Sequence, residues 1–270
     1  MQLALPSLSF PHRPPLRYFG GKWRMAPWLL KQYPLHRNYV TPYGGGWCES
    51  FQKTRAGGVE VYNDLNHSTV NFFTQLRDHP DILIPAIEAT ERNRAEFIRS
   101  RKPAENLIEQ ARRYYIYCHL SVMGGGGPLW SGTSADRLEV KAIKDDSHLW
   151  TASERLQGVR IEQQDALECI AKYDDSKTLF YCDPTYPKQS LASGNRTWYL
   201  HHMPDEHHRK LAALLSRIEG AAVVSGYDCP LYQEIFAGWK RVERRTTNMQ
   251  RKQALECIWI KEARHARTKH

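Results

Sequence analysis

Residues 177–187 read KTLFYCDPTYP. Leu179, Phe180, Tyr181 and Cys182 form an apolar run without polar alternation, the pattern of a strand buried on both faces. Asp183-Pro184-Thr185-Tyr186-Pro187 ends it, because prolines remove backbone donors and bias the preceding residue away from helix. A strand buried on both faces needs neighbouring strands and covering helices, and the flanking sequence supplies both. Strands are expected at the start of NYVTPYGGG, at residues 59–63 and 159–162, in GAAVVSGYD and in ALECIWIKE. Helices are expected at 23–33, after the glycine-rich turn, in HSTVNFFTQLRD and PDILIPAIEA, throughout 90–120, at 205–217 and in LYQEIFAGW. Strands alternating with helices imply an α/β fold with a mostly parallel sheet. The helical, glycine-looped block at 77–156 interrupts that alternation and reads as an inserted domain, leaving 1–76 and 157–270 as the sheet domain.

Composition narrows the function classes. With 41% hydrophobic and 25% charged residues among 270, the chain is globular rather than disordered. No apolar run reaches the roughly 20 residues needed to span a bilayer. The start, MQLALPSLSFPHRPPLRYF, lacks a basic opening and is interrupted by Pro6, so no signal peptide is expected. Six scattered cysteines without a CxxC pair read as reduced buried thiols, which fits a cytoplasmic protein. The charge is uneven. Residues 1–37 hold six Lys/Arg and no acid, and residues 239–270 hold ten Lys/Arg against three Glu. Basic ends on a near-neutral middle point to a polyanion, nucleic acid above all.

In open parallel sheets ligands sit beyond the carboxyl ends of the strands. At those ends stand Tyr43-Gly44-Gly45-Gly46, Asn63-Asp64-Leu65, Asp165-Ala166, Asp183-Pro184-Thr185-Tyr186 and Ser225-Gly226-Tyr227-Asp228. Glycines allow close backbone approach, one acid suits a ribose hydroxyl pair, and another accepts from an exocyclic amine. This is a nucleoside-binding arrangement.

These segments resemble the Dam-type DNA N6-adenine methyltransferases, phage-like members included. RYFGGKWRMAPWLL is similar to that family's aromatic-x-Gly-Gly-Lys motif, YVTPYGGGWCESF to its glycine loop, VYNDLN and GVRIEQQDALECI to the next two motifs, and FYCDPTYP to its Asp-Pro-Pro-Tyr. The resemblance implies a Rossmann-like methyltransferase sheet with a mainly helical target-recognition domain at 77–156. It also implies S-adenosylmethionine as cofactor, S-adenosylhomocysteine as product, no metal, and double-stranded DNA with a flipped adenine as partner. The setting it implies is a bacterial or phage-infected cytoplasm. Carried onto this chain, Tyr18, Phe19, Gly20, Gly21 and Lys22, with Tyr43, Gly44 and Gly46, contact the cofactor. Asp64 and Leu65 meet its ribose, and Asp165 and Ala166 its adenine. Asp183 lies where both ligands meet, and Asp183, Pro184 and Tyr186 are catalytic. A relative acting on RNA adenine or another planar amine would share the Asp183 turn, and a DNA-binding relative without catalysis would share the rest.

The chain departs from the family pattern in three places. Thr185 replaces the second proline, restoring a backbone N–H; since the expected acceptors come from its neighbours, activity survives. Thr41 stands where many relatives carry an acid, and Trp47-Cys48-Glu49 is bulkier than usual. For DNA contact, Arg112, Arg113 and Tyr115 mix charge and aromaticity, a pattern that a helical core stripe with two solvated arginines fits equally, and Arg137, Lys141 and Lys144 suit phosphates. His201-His202 and His207-His208 suggest metal ligands, but their spacing fits surface residues better.

Overall fold

A computed structural model of the chain describes residues 10–122, 124, 129–130, 146–190, 203–247 and 253–264. The stretch quoted above forms β4 (Thr178–Cys182), buried at all five positions. It pairs in parallel with β1 (Asn38–Thr41) on one side and β5 (Ala221–Tyr227) on the other. β1 continues to β2 (Glu60–Asn63) and β2 to β3 (Arg160–Glu162), again in parallel. Beyond β5, β7 (Gln253–Lys261) is antiparallel, and β6 (Lys240–Thr247) closes the edge antiparallel to β7. The resulting seven-stranded order β3-β2-β1-β4-β5-β7-β6 makes the expected mostly parallel, Rossmann-like sheet. Chain order reverses between β1 and β4, the switch point at which ligands of such sheets bind.

The chain divides into two compact units. The sheet belongs to the one comprising Gln32–Gly45, Ala56–Val70 and Val159–His270. One sheet face carries Val40, Val61, Phe180, Val224 and Trp259. It is covered by α7 (Ala166–Tyr173), α8 (Asp205–Leu215) and α9 (Pro230–Ile235), through Cys169 and Ile170, Leu211 and Leu215, and Leu231 and Tyr232. Each such side chain contributes on the order of 1.5–3 kcal/mol by leaving water. The opposite face holds a tyrosine cluster, with the Tyr33 ring 5.9 Å from Tyr39 and 5.6 Å from Tyr181.

The other unit comprises Met1–Lys31, Gly46–Arg55 and Asn71–Gly158. It contains α1 (Ala26–Leu29), most of α2 (His67–Asp78), α3 (Pro80–Glu88), α4 (Arg94–Ser100), α5 (Leu107–Leu120) and α6 (His148–Leu156). Asn93 and Asn106 cap α4 and α5 by accepting backbone N–H groups. Its core includes Phe51, Phe72, Phe73, Ile84, Tyr115 and Leu149, all without solvent exposure. Trp47, one of the bulky departures, lies here with φ 50°, edge-on to Phe51 at 5.2 Å and beneath the Arg155 guanidinium at 5.3 Å. Its size is taken up by core packing.

Three expectations about local structure change, and one strand, β6, was not foreseen. The helix placed at 23–33 is one α-turn, Ala26–Leu29, followed by a 3₁₀ turn at Leu30–Gln32. The helix expected after the glycine turn is a 3₁₀ turn at Ser50–Gln52. Residues 90–120 are two helices, because Pro103 and the Asn106 cap interrupt them. β6 was legible only as a run of charge: its polar sequence KRVERRTT lacks apolar alternation, being an edge strand.

Candidate active site

In the sheet unit the loops after β1, β2 and β3 are tied together by Asn63, which is fully buried at the end of β2. Its amide donates to the Pro42 carbonyl at 2.9 Å and the Gln164 carbonyl at 3.1 Å, and its oxygen accepts from the Gln164 N–H at 3.0 Å. The Gly44 N–H donates to the Asn63 carbonyl at 2.7 Å. A Cβ on Gly44 would lie 2.3 Å from the Tyr62 ring, so only glycine fits. The Tyr62 hydroxyl in turn donates to the Gly45 carbonyl at 3.0 Å.

Asp64 closes this turn. One carboxylate oxygen accepts from the Gly45 N–H and the other from the Asn66 N–H, both at 2.7 Å. Leu65 beside it is exposed. Thr41, where relatives carry an acid, donates to the Val61 carbonyl at 3.0 Å, a bond that a carboxylate could not make. Asp165 caps α7, its Oδ1 accepting from Leu167 N–H at 2.8 Å, while Ala166 is buried. Tyr43 shares a 2.8 Å hydrogen bond between its hydroxyl and Nε2 of His207 at the start of α8. Burial pushes the Tyr43 phenol well above its ordinary range and holds the His207 imidazole below its own, so a neutral pair lines this loop.

The turn after β4 is fixed from the other side. Asp183, half-buried, accepts from the Ser225 hydroxyl on β5 at 2.7 Å, and Ser225 lies 3.2 Å from the Tyr181 hydroxyl. Pro184 is buried. Thr185 accepts the Met203 N–H on its hydroxyl oxygen at 3.0 Å. Tyr186, 8% exposed, donates its hydroxyl proton to the Glu256 carboxylate on β7. Its ring stands edge-on to Tyr227 at 4.9 Å. Burial, with the carboxylates of Asp183 and Glu256 nearby, raises the Tyr186 phenol well above its ordinary range, so it stays a donor.

The helical unit holds the other expected cofactor residues. The Gly21 N–H closes a turn onto the Tyr18 carbonyl at 3.2 Å, and Lys22, 8% exposed, donates its ammonium to the Gly20 carbonyl at 3.1 Å. Phe19 lies within the same turn. A Cβ on Gly46 would lie 2.6 Å from that of Tyr18, so the two segments press together. The preceding arm is held through Arg17, which donates to the His119 carbonyl at 3.1 Å, and through Arg13, 3.5 Å from the buried Asp146.

Three of the residues expected to meet DNA, Arg112, Arg113 and Tyr115, have partners within the helical unit. Arg112 is engaged by Glu109 at 2.6 Å and Glu96 at 2.9 Å, and Arg113 by Glu109 at 2.7 Å. Tyr115 is fully buried and donates to Asp146 at 2.7 Å. These side chains hold the helical unit together; the burial of Tyr115 corrects its reading as a DNA contact and agrees with the helical core stripe weighed beside it. Arg137, Lys141, Lys144, His201 and His202 lie outside the described residues. His208, read as a surface residue, is fully buried with Nδ1 3.2 Å from the Tyr232 hydroxyl.

Sequence reasoning passed over Glu256; it placed Asn63 and Ser225 at strand ends and His207 on the surface without assigning them these partners. Glu256 did leave a signal, since an acid inside the apolar run of ALECIWI must find a buried partner.

Comparison with known proteins agrees with this geometry. Residues 18–250 match the family model described as D12 class N6 adenine-specific DNA methyltransferase. A protein of Haemophilus influenzae (strain ATCC 51907 / DSM 11121 / KW20 / Rd) named DNA adenine methylase is 22% identical over 253 residues, covering 86% of each chain. With the family model matching well over half of its length, the chain belongs to the D12 class of N6 adenine-specific DNA methyltransferases.

Proposed function

We propose that this chain transfers a methyl group from S-adenosylmethionine to N6 of an adenine flipped out of double-stranded DNA, using Asp183, Pro184 and Tyr186. The observation that carries the reading is Asp183 itself: a carboxylate at the switch point, oriented by Ser225 at 2.7 Å. The amine of adenine is a poor nucleophile because its lone pair is delocalised into the ring. The Asp183 carboxylate and the Pro184 carbonyl accept its two N–H bonds and draw the nitrogen toward a tetrahedral shape. The site is thereby prearranged for the positive charge that develops at nitrogen. Tyr186 forms the face beneath the base, since chemistry on a base requires its removal from the duplex.

The chain also carries what a nucleoside cofactor needs. Asp64, whose carboxylate accepts from the Gly45 N–H at 2.7 Å, serves the ribose hydroxyls in this reading, with Leu65 beside it. Asp165 and Ala166 at the end of β3 serve its adenine. Tyr43, Gly44 and Gly46, with Tyr18, Phe19, Gly20, Gly21 and Lys22, serve its methionine end. S-adenosylmethionine, when bound, supplies a methyl already activated on a sulfonium, so the chain's task is orientation. Neither metal nor covalent nucleophile enters this scheme. Residues 77–156 act as the target-recognition domain, and the setting is a bacterial or phage-infected cytoplasm. Among the described residues no helix is long and apolar enough to cross a membrane.

Calorimetry with S-adenosylmethionine tests the reading. Binding is expected, weakened about tenfold or more by Asp64→Ala or Asp165→Ala, the scale of one charge-assisted hydrogen bond. DNA binding without cofactor binding would replace the proposal by a DNA-binding relative without catalysis. Labelling of RNA in place of DNA would shift the substrate.

A further inference from the structure

The backbone of the glycine turn after β1 is held from the end of β2. Asn63 accepts the Gly44 N–H, Tyr62 donates to the Gly45 carbonyl, and Asp64 accepts the Gly45 N–H. The side chain that opens the turn, Tyr43, is held from the other side of the switch point. Among the described residues its hydroxyl makes one hydrogen bond, the 2.8 Å contact with Nε2 of His207, and the two rings stand edge-on at 6.0 Å. The Tyr43 ring packs against the core of the sheet unit. A buried phenol needs such a partner, because a hydroxyl left unsatisfied keeps its full desolvation cost.

His207 reaches Tyr43 from the first turn of α8, the helix that follows the Asp183 turn along the chain. The start of α8 is tied back to that turn. Thr185 accepts the Met203 N–H at 3.0 Å, and the His207 N–H donates to the Pro204 carbonyl at 2.9 Å. Burial is the main influence on both Tyr43 and His207, and the Asp165 carboxylate beyond β3 acts on both electrostatically. One imidazole thus connects the loop after β1 with the segment leaving β4, close to the acid after β3. A histidine serving only solubility would need no such bond.

We infer that His207 is a positioning residue for S-adenosylmethionine: it anchors the Tyr43 hydroxyl and so holds the loop after β1 in the shape that receives the methionine end of the cofactor. This rests on the cofactor use proposed above. His207 acts through Tyr43 and touches no reacting atom.

The test measures S-adenosylmethionine affinity by calorimetry, and KM for cofactor and for plasmid DNA, in wild type, H207L, H207Q, Y43F, Y43F/H207L and R209Q. H207L and Y43F are each expected to weaken cofactor binding and raise its KM about fivefold, the equivalent of one net hydrogen bond. KM for DNA should hold. H207Q, which sets an amide near the place of Nε2, should restore affinity to within about twofold of wild type. Y43F/H207L should lose little more than either single variant, because both remove the same bond. R209Q, which breaks an exposed ion pair with Glu234 on the same helix, should match wild type. If H207L does not fold, Y43F reads the same bond from its other end. Wild-type cofactor affinity in Y43F overturns the inference. So does an additive loss in the double variant, or an equal loss in R209Q, which would mean general damage to α8. Absence of cofactor binding by wild type would instead refute the cofactor reading, and this inference with it.

Discussion

The phenol of Tyr186 donates its proton to the carboxylate of Glu256, 70 positions later, and both residues are almost closed to solvent. This bond joins the turn after β4 to β7, the antiparallel strand beyond β5. It fixes the ring that the proposal places beneath adenine, and Tyr227 fixes it from the side at 4.9 Å. Glu256→Gln keeps an acceptor and should methylate with little loss. Glu256→Leu leaves a buried hydroxyl unsatisfied and should cost about 1–3 kcal/mol of stability. It should also lower kcat on DNA while leaving S-adenosylmethionine binding intact. Wild-type kcat in Glu256→Leu would remove Glu256 from the positioning of Tyr186.

Ser225 orients the Asp183 carboxylate, so the two substitutions should differ in kind. Asp183→Ala should reduce turnover to background, well beyond the roughly 100-fold typical of losing one prearranged electrostatic group. Ser225→Ala should lower kcat about tenfold, the equivalent of one net hydrogen bond, without changing cofactor affinity. Single-turnover methylation assays measure both. Substantial methylation by Asp183→Ala protein would contradict the mechanism.

Thr185 uses its hydroxyl rather than its restored N–H as the distinguishing feature, since Oγ1 accepts the Met203 N–H at 3.0 Å. Thr185→Ser should therefore be neutral, and Thr185→Val should lose about 0.5–1.5 kcal/mol in urea unfolding. Thr185→Pro should change turnover modestly, its added ring restraint set against the lost hydrogen bond. Equal stability of the Ser and Val variants would show that the bond contributes nothing.

Acid should weaken the helical unit through His119. Its ring stacks on Tyr115 at a centroid distance of 3.9 Å and donates from Nδ1 to the Tyr115 carbonyl. Burial lowers its pKa from the ordinary 6.5 to about 3. Between those values the unfolded chain binds a proton that the folded chain does not, so stability falls as pH drops from 6.5 toward 3. His119→Gln removes that dependence, and its stability relative to wild type should rise as pH falls through this window. Parallel urea midpoints for the two proteins between pH 6.5 and 4 would contradict the assignment.

The fold was largely legible because its strands carry the signature of burial. KTLFYC and GAAVVSGY contain no polar alternation and became β4 and β5. The acids at strand ends were legible for a related reason: Asp64 and Asp165 stand just beyond expected strands, where the sheet delivers its loops. What the sequence hid was pairing over distance. Nothing local marks Ser225 as the donor to Asp183 or Glu256 as the acceptor for Tyr186, because those contacts arise only when β5 and β7 align beside β4. Trp47 was misleading for the same reason. Read along the chain it crowds a glycine loop, yet its indole packs against Phe51 and Arg155. The edge strand β6 escaped because charge, not hydrophobic rhythm, decides its composition.

The central claim is methyl transfer to N6 of adenine in DNA, with Asp183 as the acceptor that makes the amine reactive. Its most direct test is to incubate the protein and the Asp183→Ala variant with methyl-labelled S-adenosylmethionine and plasmid DNA, then map N6-methyladenine by sequencing. The account predicts label on adenine N6 at a recurring sequence with wild type and none with Asp183→Ala. Absence of label on any DNA with wild-type protein, or equal label with both proteins, would contradict it.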